Sequence, residues 1–344
     1  MAKQYLSIIR LFEHCSVAYD GELNLPRIRK QLNAEFAMSG SGFIEAGGHS
    51  YTRQDVFEEI DHPDFSFRLL YHKRLWNSPS LLKLLEENKA HFFGVNDELK
   101  NFSGDDRFDR FFSPYFAMPF NYLSRNMLAD YNFNELAQLL SYEQFLLPAE
   151  REEAFRPIRV FLEENLRSLR NTSKENYSIM RPKINHWVDK NWHPFFNNLP
   201  PEFYDTKNDF IILFINLCVA LQKTARQDCR DISDQLIGLQ ETPEELRKII
   251  VSNHAVFHKT SSTSSGSGNW TWIIWVVLIL GRLATSSGNC GSDDKPDYKF
   301  ELPKYPVPEI RPDNEVDAVL PDTSAARRKL DSILREVRKN QPGY

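Results

Sequence analysis

The chain has 344 residues, of which 41% are hydrophobic and 26% charged, with a net charge of −5, a composition that argues for a folded protein and against global disorder. The acidic balance excludes a basic field over the whole surface, so nucleic acid has only local patches to meet and is not expected as a partner. Four cysteines stand far apart (Cys15, Cys218, Cys229 and Cys290) with no CxxC pair, which signals neither a disulfide framework nor a zinc site.

Twenty-five Phe against fourteen Gly point to a helical core built on rings and long aliphatics. The length allows about two domains of ~150 residues each. Between Lys3 and Arg10 there is no apolar run and no cleavage site, so the first 258 residues are expected to be a cytoplasmic body.

Tyr5, Ile8, Ile9, Phe12 and Cys15 recur at helical spacing and predict a first amphipathic helix. A second is expected from Asn24-Leu25-Pro26, with Ile28, Leu32 and Phe36 inward. Phe43 and Ile44, the Gly47-Gly48 pair and Tyr51 predict a short β-hairpin, after which Thr52 caps a helix from Arg53 to Ile60. Two helices, a hairpin and another helix are the parts of a winged-helix-like unit, in which Arg27, Arg29, Lys30 and Arg53 would be placed to touch phosphate. A solvated basic face is the plainer account.

Helices follow from Phe65 to Trp76 and from Ser78 to Asn88, the second with Ser78 as cap and Pro79 in its first turn. Residues 91–123 hold eight Phe interleaved with charge, together with Pro114 and Pro119, and show no clean period. They predict a long aromatic connection, the best place to seek a ligand or partner, although rings that simply pin a loop onto the helices are the favoured account. A sub-boundary is expected near residues 125–132.

Leu136, Leu139, Leu140 and Phe145 mark one further helix. Phe155, Ile158, Leu162, Leu166 and Leu169 mark the next, opened by Pro148 and kinked or restarted at Pro157. Another is expected around Met180 to Trp192, carrying Ile184 and Trp187. Residues 210–221 are apolar enough to rival a membrane span, but Asn216 interrupts them and Lys207, Asp209, Lys223 and Arg226 flank them, so a central buried helix is expected. Thr242-Pro243-Glu244-Glu245 reads as a capping box opening a last helix.

His254 and His258 stand at i, i+4, a spacing that binds a metal if the helix continues and a third ligand arrives. No acidic residue lies between them, so two exposed histidines are expected and no metal, cofactor or catalytic residue is assigned. Neither a Gly-x-Ser-x-Gly elbow nor a phosphate-binding Gly loop is present.

Residues 259–269 are small and polar and predict a flexible tether with a reach of roughly 15–20 Å. Residues 270–284 follow as a short apolar run predicting a single transmembrane helix, with Trp270, Trp272 and Trp275 crowded toward one interface, Leu278 and Leu280 in the bilayer, and Arg282 near enough to the end to snorkel. Residues 285–321 form a Pro-rich extended linker. Residues 322–340 predict a basic amphipathic helix, with Leu330, Ile333, Leu334 and Val337 on one face and Arg327, Arg328 and Arg335 around it, suited to a protein partner or anionic lipid.

The expectation is a mainly α protein: a multi-helix body with one short β-hairpin, then a single span and a Pro-rich tail ending in an amphipathic helix. The function expected is that of a membrane-anchored adaptor or scaffold that binds the lipid bilayer and a protein partner. Two other functions are weighed: a membrane-tethered enzyme with its site in residues 91–123, and a regulator using the N-terminal winged-helix-like unit.

Overall fold

The N-terminal elements, from the first helix to the helix that opens at Phe65, bury one set of apolar residues, and a larger array of helices buries another. The computed structural model describes residues 4–258 apart from positions 22, 91 and 103. These are mainly helical, with one two-stranded antiparallel sheet. The expected tether, membrane span, linker and terminal helix at 259–269, 270–284, 285–321 and 322–340 lie outside the described residues, and Cys290 lies with them.

Helix α1 (Ile8–His14) and α2 (Leu25–Ser39) start where Ser7 and Asn24 side chains accept the Arg10 and Arg27 backbone N–H groups. Strands β1 (Phe43–Ala46) and β2 (His49–Thr52) pair in the register Ile44 to Tyr51 and Ala46 to His49. Gly47 and Gly48 both have positive φ, +58° and +82°, as a two-residue hairpin turn matched to strand twist demands. Thr52 then caps α3 (Arg53–Ile60) through the Asp55 N–H. The alternation along the strands turns Ile44, Ala46 and Tyr51 onto Phe12, Leu32 and Val56, with Phe65 and Leu69 of α4 (Phe65–Trp76) closing the cluster.

Helix α5 (Pro79–Glu87) follows, but Ser78 does not cap it, because its hydroxyl donates back to the Arg74 carbonyl at 2.9 Å. Residues 91–123 differ from expectation. They form α6 (Phe92–Leu99), a 3₁₀ turn and a single helix α7 (Asp106–Ala129) that runs through both prolines. Two helix-interior prolines cost about 6 kcal/mol together. Against that, Phe108, Phe111, Phe112, Tyr115, Phe116 and Phe120 are all buried on one face, worth roughly 2 kcal/mol each, so burial wins. Phe108, Phe112 and Phe116 stack in sequence with centroids 5.0 Å apart at each step. The rings thus belong to the core and not to a loop.

Helix α8 (Phe133–Leu140) ends before Phe145, which sits in a 3₁₀ turn. Residues 125–132 comprise the end of α7 and the turn into α8. Helix α9 (Pro148–Arg170) packs along α7 and contains Pro157 without a break in assignment. The helix expected around Met180 to Trp192 is replaced by three short turns, α10 (Tyr177–Met180), α11 (Asn185–Asp189) and α12 (His193–Asn197). Their aromatic residues reach the core from irregular backbone.

Helix α13 (Tyr204–Leu221) is the expected hub. It buries Phe210, Ile211, Phe214, Ile215, Cys218 and Leu221 beneath Trp187 and Trp192. Lys207, also buried, is reconciled with that core because its Nζ donates to the Gln240 carbonyl at 3.0 Å. Helices α14 (Arg226–Ile237) and α15 (Glu244–His258) pack together at the end of the described chain. Here α15 begins one residue after Pro243, so Thr242 stands outside the capping position and its hydroxyl donates to the Gln240 carbonyl. Among the described residues no helix is long and apolar enough to cross a membrane.

His186 shows what this core does to a titratable group. Its ring stacks on Tyr131 at 4.1 Å, and its Nε2 meets the Asn165 Oδ1 at 2.8 Å. The same Oδ1 accepts the Trp187 indole N–H, which fixes the amide orientation and makes Nε2 the protonated nitrogen of a neutral ring. Burial lowers its pKa to about 4. Between that value and the ordinary ~6.5 the unfolded chain holds the extra proton, so stability falls as pH drops through this window, by up to about 3 kcal/mol. Urea denaturation at pH 7 and pH 4.5 is expected to show a smaller acid loss in His186→Phe than in the unsubstituted chain. Equal losses in both would contradict this account.

Candidate functional site

The side chains of α3, β2, α4 and α7 enclose a cleft of about 650 Å³. Its floor is a network of ionisable groups brought together from α3, α4, α7 and the segment that precedes α1. Glu59 on α3 accepts Arg68 Nε at 2.6 Å and Nη2 at 2.7 Å, an arrangement in which the planar guanidinium matches both carboxylate oxygens. It also meets His72 Nε2 at 3.0 Å and the Tyr115 hydroxyl at 3.0 Å. Because a carboxylate only accepts, His72 carries its proton on Nε2, and Nδ1 accepts from the Tyr5 hydroxyl at 3.0 Å. Arg68 lies over the Phe111 ring at 4.9 Å.

Burial opposes ionisation of Glu59, but the hydrogen bonds from His72 and Arg68 outweigh it and hold the carboxyl well below its usual range. Burial likewise keeps His72 neutral, its pKa lowered against the pull of Glu59, so Arg68 is the cation that balances the carboxylate. Desolvation and the neighbouring Glu59 raise Tyr115, and desolvation with Glu86 raises Tyr5, so both phenols stay protonated as donors. With four hydrogen bonds already received, Glu59 has no lone pair left for a substrate proton. The arrangement is a rigid floor that locks α3 to α4 and α7. Above it, Asp55 and Glu58 line the cleft beyond the balanced Glu59–Arg68 pair, which gives the lining an excess of carboxylates. A second tie is Arg10 of α1 to Glu86 of α5 at 2.6 Å, with Arg10 lying over Trp76 at 5.0 Å.

The ionisable residues of the 91–123 region and the other groups singled out in the sequence fall elsewhere. Arg107, Asp109 and Arg110 do not converge on this cavity: Arg107 lies over the Phe67 ring at 4.8 Å, and burial together with Asp106 and Asp105 raises the Asp109 carboxyl. Of the four N-terminal basic residues, Arg29 pairs with Asp61 at 2.8 Å and Arg53 donates to Asn33 at 2.7 Å, while both guanidiniums lie 5.7 Å from the Phe57 ring. Cys15, Cys218 and Cys229 are buried free thiols. His254 and His258 are different. The helix does continue through them, and Asp234 of α14 arrives beside both. Sequence spacing gave the pair, but only the packing of α14 on α15 gives the third group.

The sequence left Glu59, Arg68, His72 and Tyr115 unremarked. Arg68 and His72 sit at i, i+4, yet the carboxylate and phenols come from two other helices and the segment before α1, so no local spacing announces the network. Comparison with protein-family models, with curated proteins and with solved structures gives no match.

Proposed function

We propose that the protein is a membrane-anchored interaction protein: a helical body held at a bilayer by residues 270–284 and binding a protein partner through its acidic cleft. The observation that carries it is an order of segments. The last described helix ends at His258 and is followed in the sequence by an eleven-residue polar tether and a fifteen-residue apolar run opening on three tryptophans. That run is shorter than the usual span of ~20 residues, so its uncharged flanks and the snorkelling of Arg282 are part of the reading. The apolar helix that rivals it, α13, is buried in the core.

The role of the cleft follows from its chemistry. Its bound carboxylate is saturated, which supports a surface that recognises over one that transforms, and its acidic rim suits a basic segment of a partner protein. The basic face of residues 322–340, with Arg327, Arg328 and Arg335, supplies a second contact on the far side of the anchor.

Protease treatment of sealed membranes carrying the full chain tests the arrangement. The body is expected to be digested from the cytoplasmic side while the tail survives. A protected body with a digested tail would reverse the orientation, and digestion of both would remove the span.

A further inference from the structure

The last turn of α15 and the facing turn of α14 present three metal-type ligands to one point. His254 Nε2 lies 2.9 Å and His258 Nε2 2.6 Å from the same oxygen, Oδ1 of Asp234. The two rings, one helical turn apart, stack with centroids 4.2 Å apart and 25° between planes. All three ligand atoms lie within 4.8 Å of one another. We propose that Asp234, His254 and His258 bind a divalent first-row transition metal, with Zn²⁺ as the representative ion.

The spacing supports this. Two ligands at about 2.1 Å from one ion stand about 3.0 Å apart at a right angle and about 3.4 Å apart in a tetrahedron. An ion therefore enters by opening the present contacts by a few tenths of an ångström to just under one ångström, a motion of side-chain tips. Two imidazoles and one carboxylate suit Zn²⁺, Co²⁺ or Ni²⁺ and not Mg²⁺ or Ca²⁺, which prefer oxygen ligands throughout. Side-chain exposures of 30% for His254, 36% for His258 and 44% for Asp234 leave an open path for the ion. Three protein ligands leave at least one position to water or to an incoming group.

Hydrogen bonding alone would also hold these three side chains together. What favours a metal is that the three groups already stand close to ligand spacing, with the third supplied by a separate packed helix. The surroundings set the strength. Arg226 and Arg230 of α14 donate to the Val256 and Phe257 carbonyls, capping α15 with positive charge close to the site. A single carboxylate offsets that charge only in part, so binding is weaker than at a buried structural zinc site. Bound metal would join residue 234 to residue 258 and stop the last turn of α15 from fraying at its junction with the residues that follow. The site stands independently of membrane anchoring.

Calorimetric titration of the tag-free full chain in detergent with Zn²⁺ tests it, together with the visible absorption of the Co²⁺ form. One ion per chain is expected, with a Co²⁺ ligand-field band. Asp234→Asn and His258→Ala are each expected to weaken binding at least about tenfold while the far-ultraviolet circular dichroism stays unchanged. Absence of saturable binding in the unsubstituted chain would overturn the proposal. So would undiminished binding in the His254→Ala/His258→Ala double variant.

Discussion

Glu59→Ala is expected to destabilise the body by about 3–5 kcal/mol, measured by urea denaturation at pH 7, because it leaves the Arg68 guanidinium partly buried without its carboxylate. Side-chain exposures of 16% for Arg68 and 14% for Glu59 separate this pair from surface ion pairs, which contribute little. The loss is a large fraction of the 5–15 kcal/mol typical of a folded domain. Tyr115 and His72 would lose their acceptor at the same time, and Tyr5, bonded to His72, would loosen next.

The pH dependence has a definite sign. The Glu59 carboxyl is held below its unfolded value, so its contribution is complete above about pH 5 and is lost as pH falls further. His72, also lowered, adds to the same trend, since the unfolded chain takes up its proton below about pH 6.5 while the buried ring resists. The Glu59→Ala variant should therefore lose less stability on acidification than the unsubstituted chain. A destabilisation below about 1 kcal/mol would mean that the network behaves as a solvated surface pair.

Trp187→Ala is expected to cost about 3–5 kcal/mol, the range for emptying a large aromatic site in a close-packed core. Trp187 is fully buried and meets Phe133, Phe196, Phe210 and Phe214 with centroids 5.2–5.9 Å away. Its indole N–H also satisfies Asn165, so Trp187→Phe should fall between the two, restoring packing but not that hydrogen bond. Thermal denaturation followed by circular dichroism checks the order Ala below Phe below Trp. Equal melting of all three would show that α11 is not anchored by this ring.

Where apolar periodicity and a cap agree, the sequence predicts the element closely. Asn24 and Thr52 begin helices as their side chains require, and the Gly47-Gly48 turn closes the hairpin it signals. Burial of residues 210–221 could be anticipated because Asn216 interrupts the apolar run and charges flank both of its ends.

The expectation failed at α7 because Pro114 and Pro119 mask an underlying helical pattern. Phe108, Phe111, Phe112, Tyr115, Phe116 and Phe120 do keep a helical spacing once the prolines are ignored. It failed between Tyr177 and Asn197 for the opposite reason: apolar residues are plentiful there, but tertiary packing holds them on short turns. The cleft network and the Asp234 cluster were hidden because each draws groups from separate elements, and no one-dimensional spacing records which helices pack together. His254 and His258 were visible as a pair, while Asp234, twenty residues earlier than His254, was not.

Alkaline carbonate extraction of the full chain beside a variant lacking residues 270–284 tests the proposed membrane anchor most directly. The full chain is predicted to stay in the membrane pellet and the variant to pass into the supernatant. Release of the full chain into the supernatant, or retention of the variant in the pellet, would contradict an anchor formed by that segment.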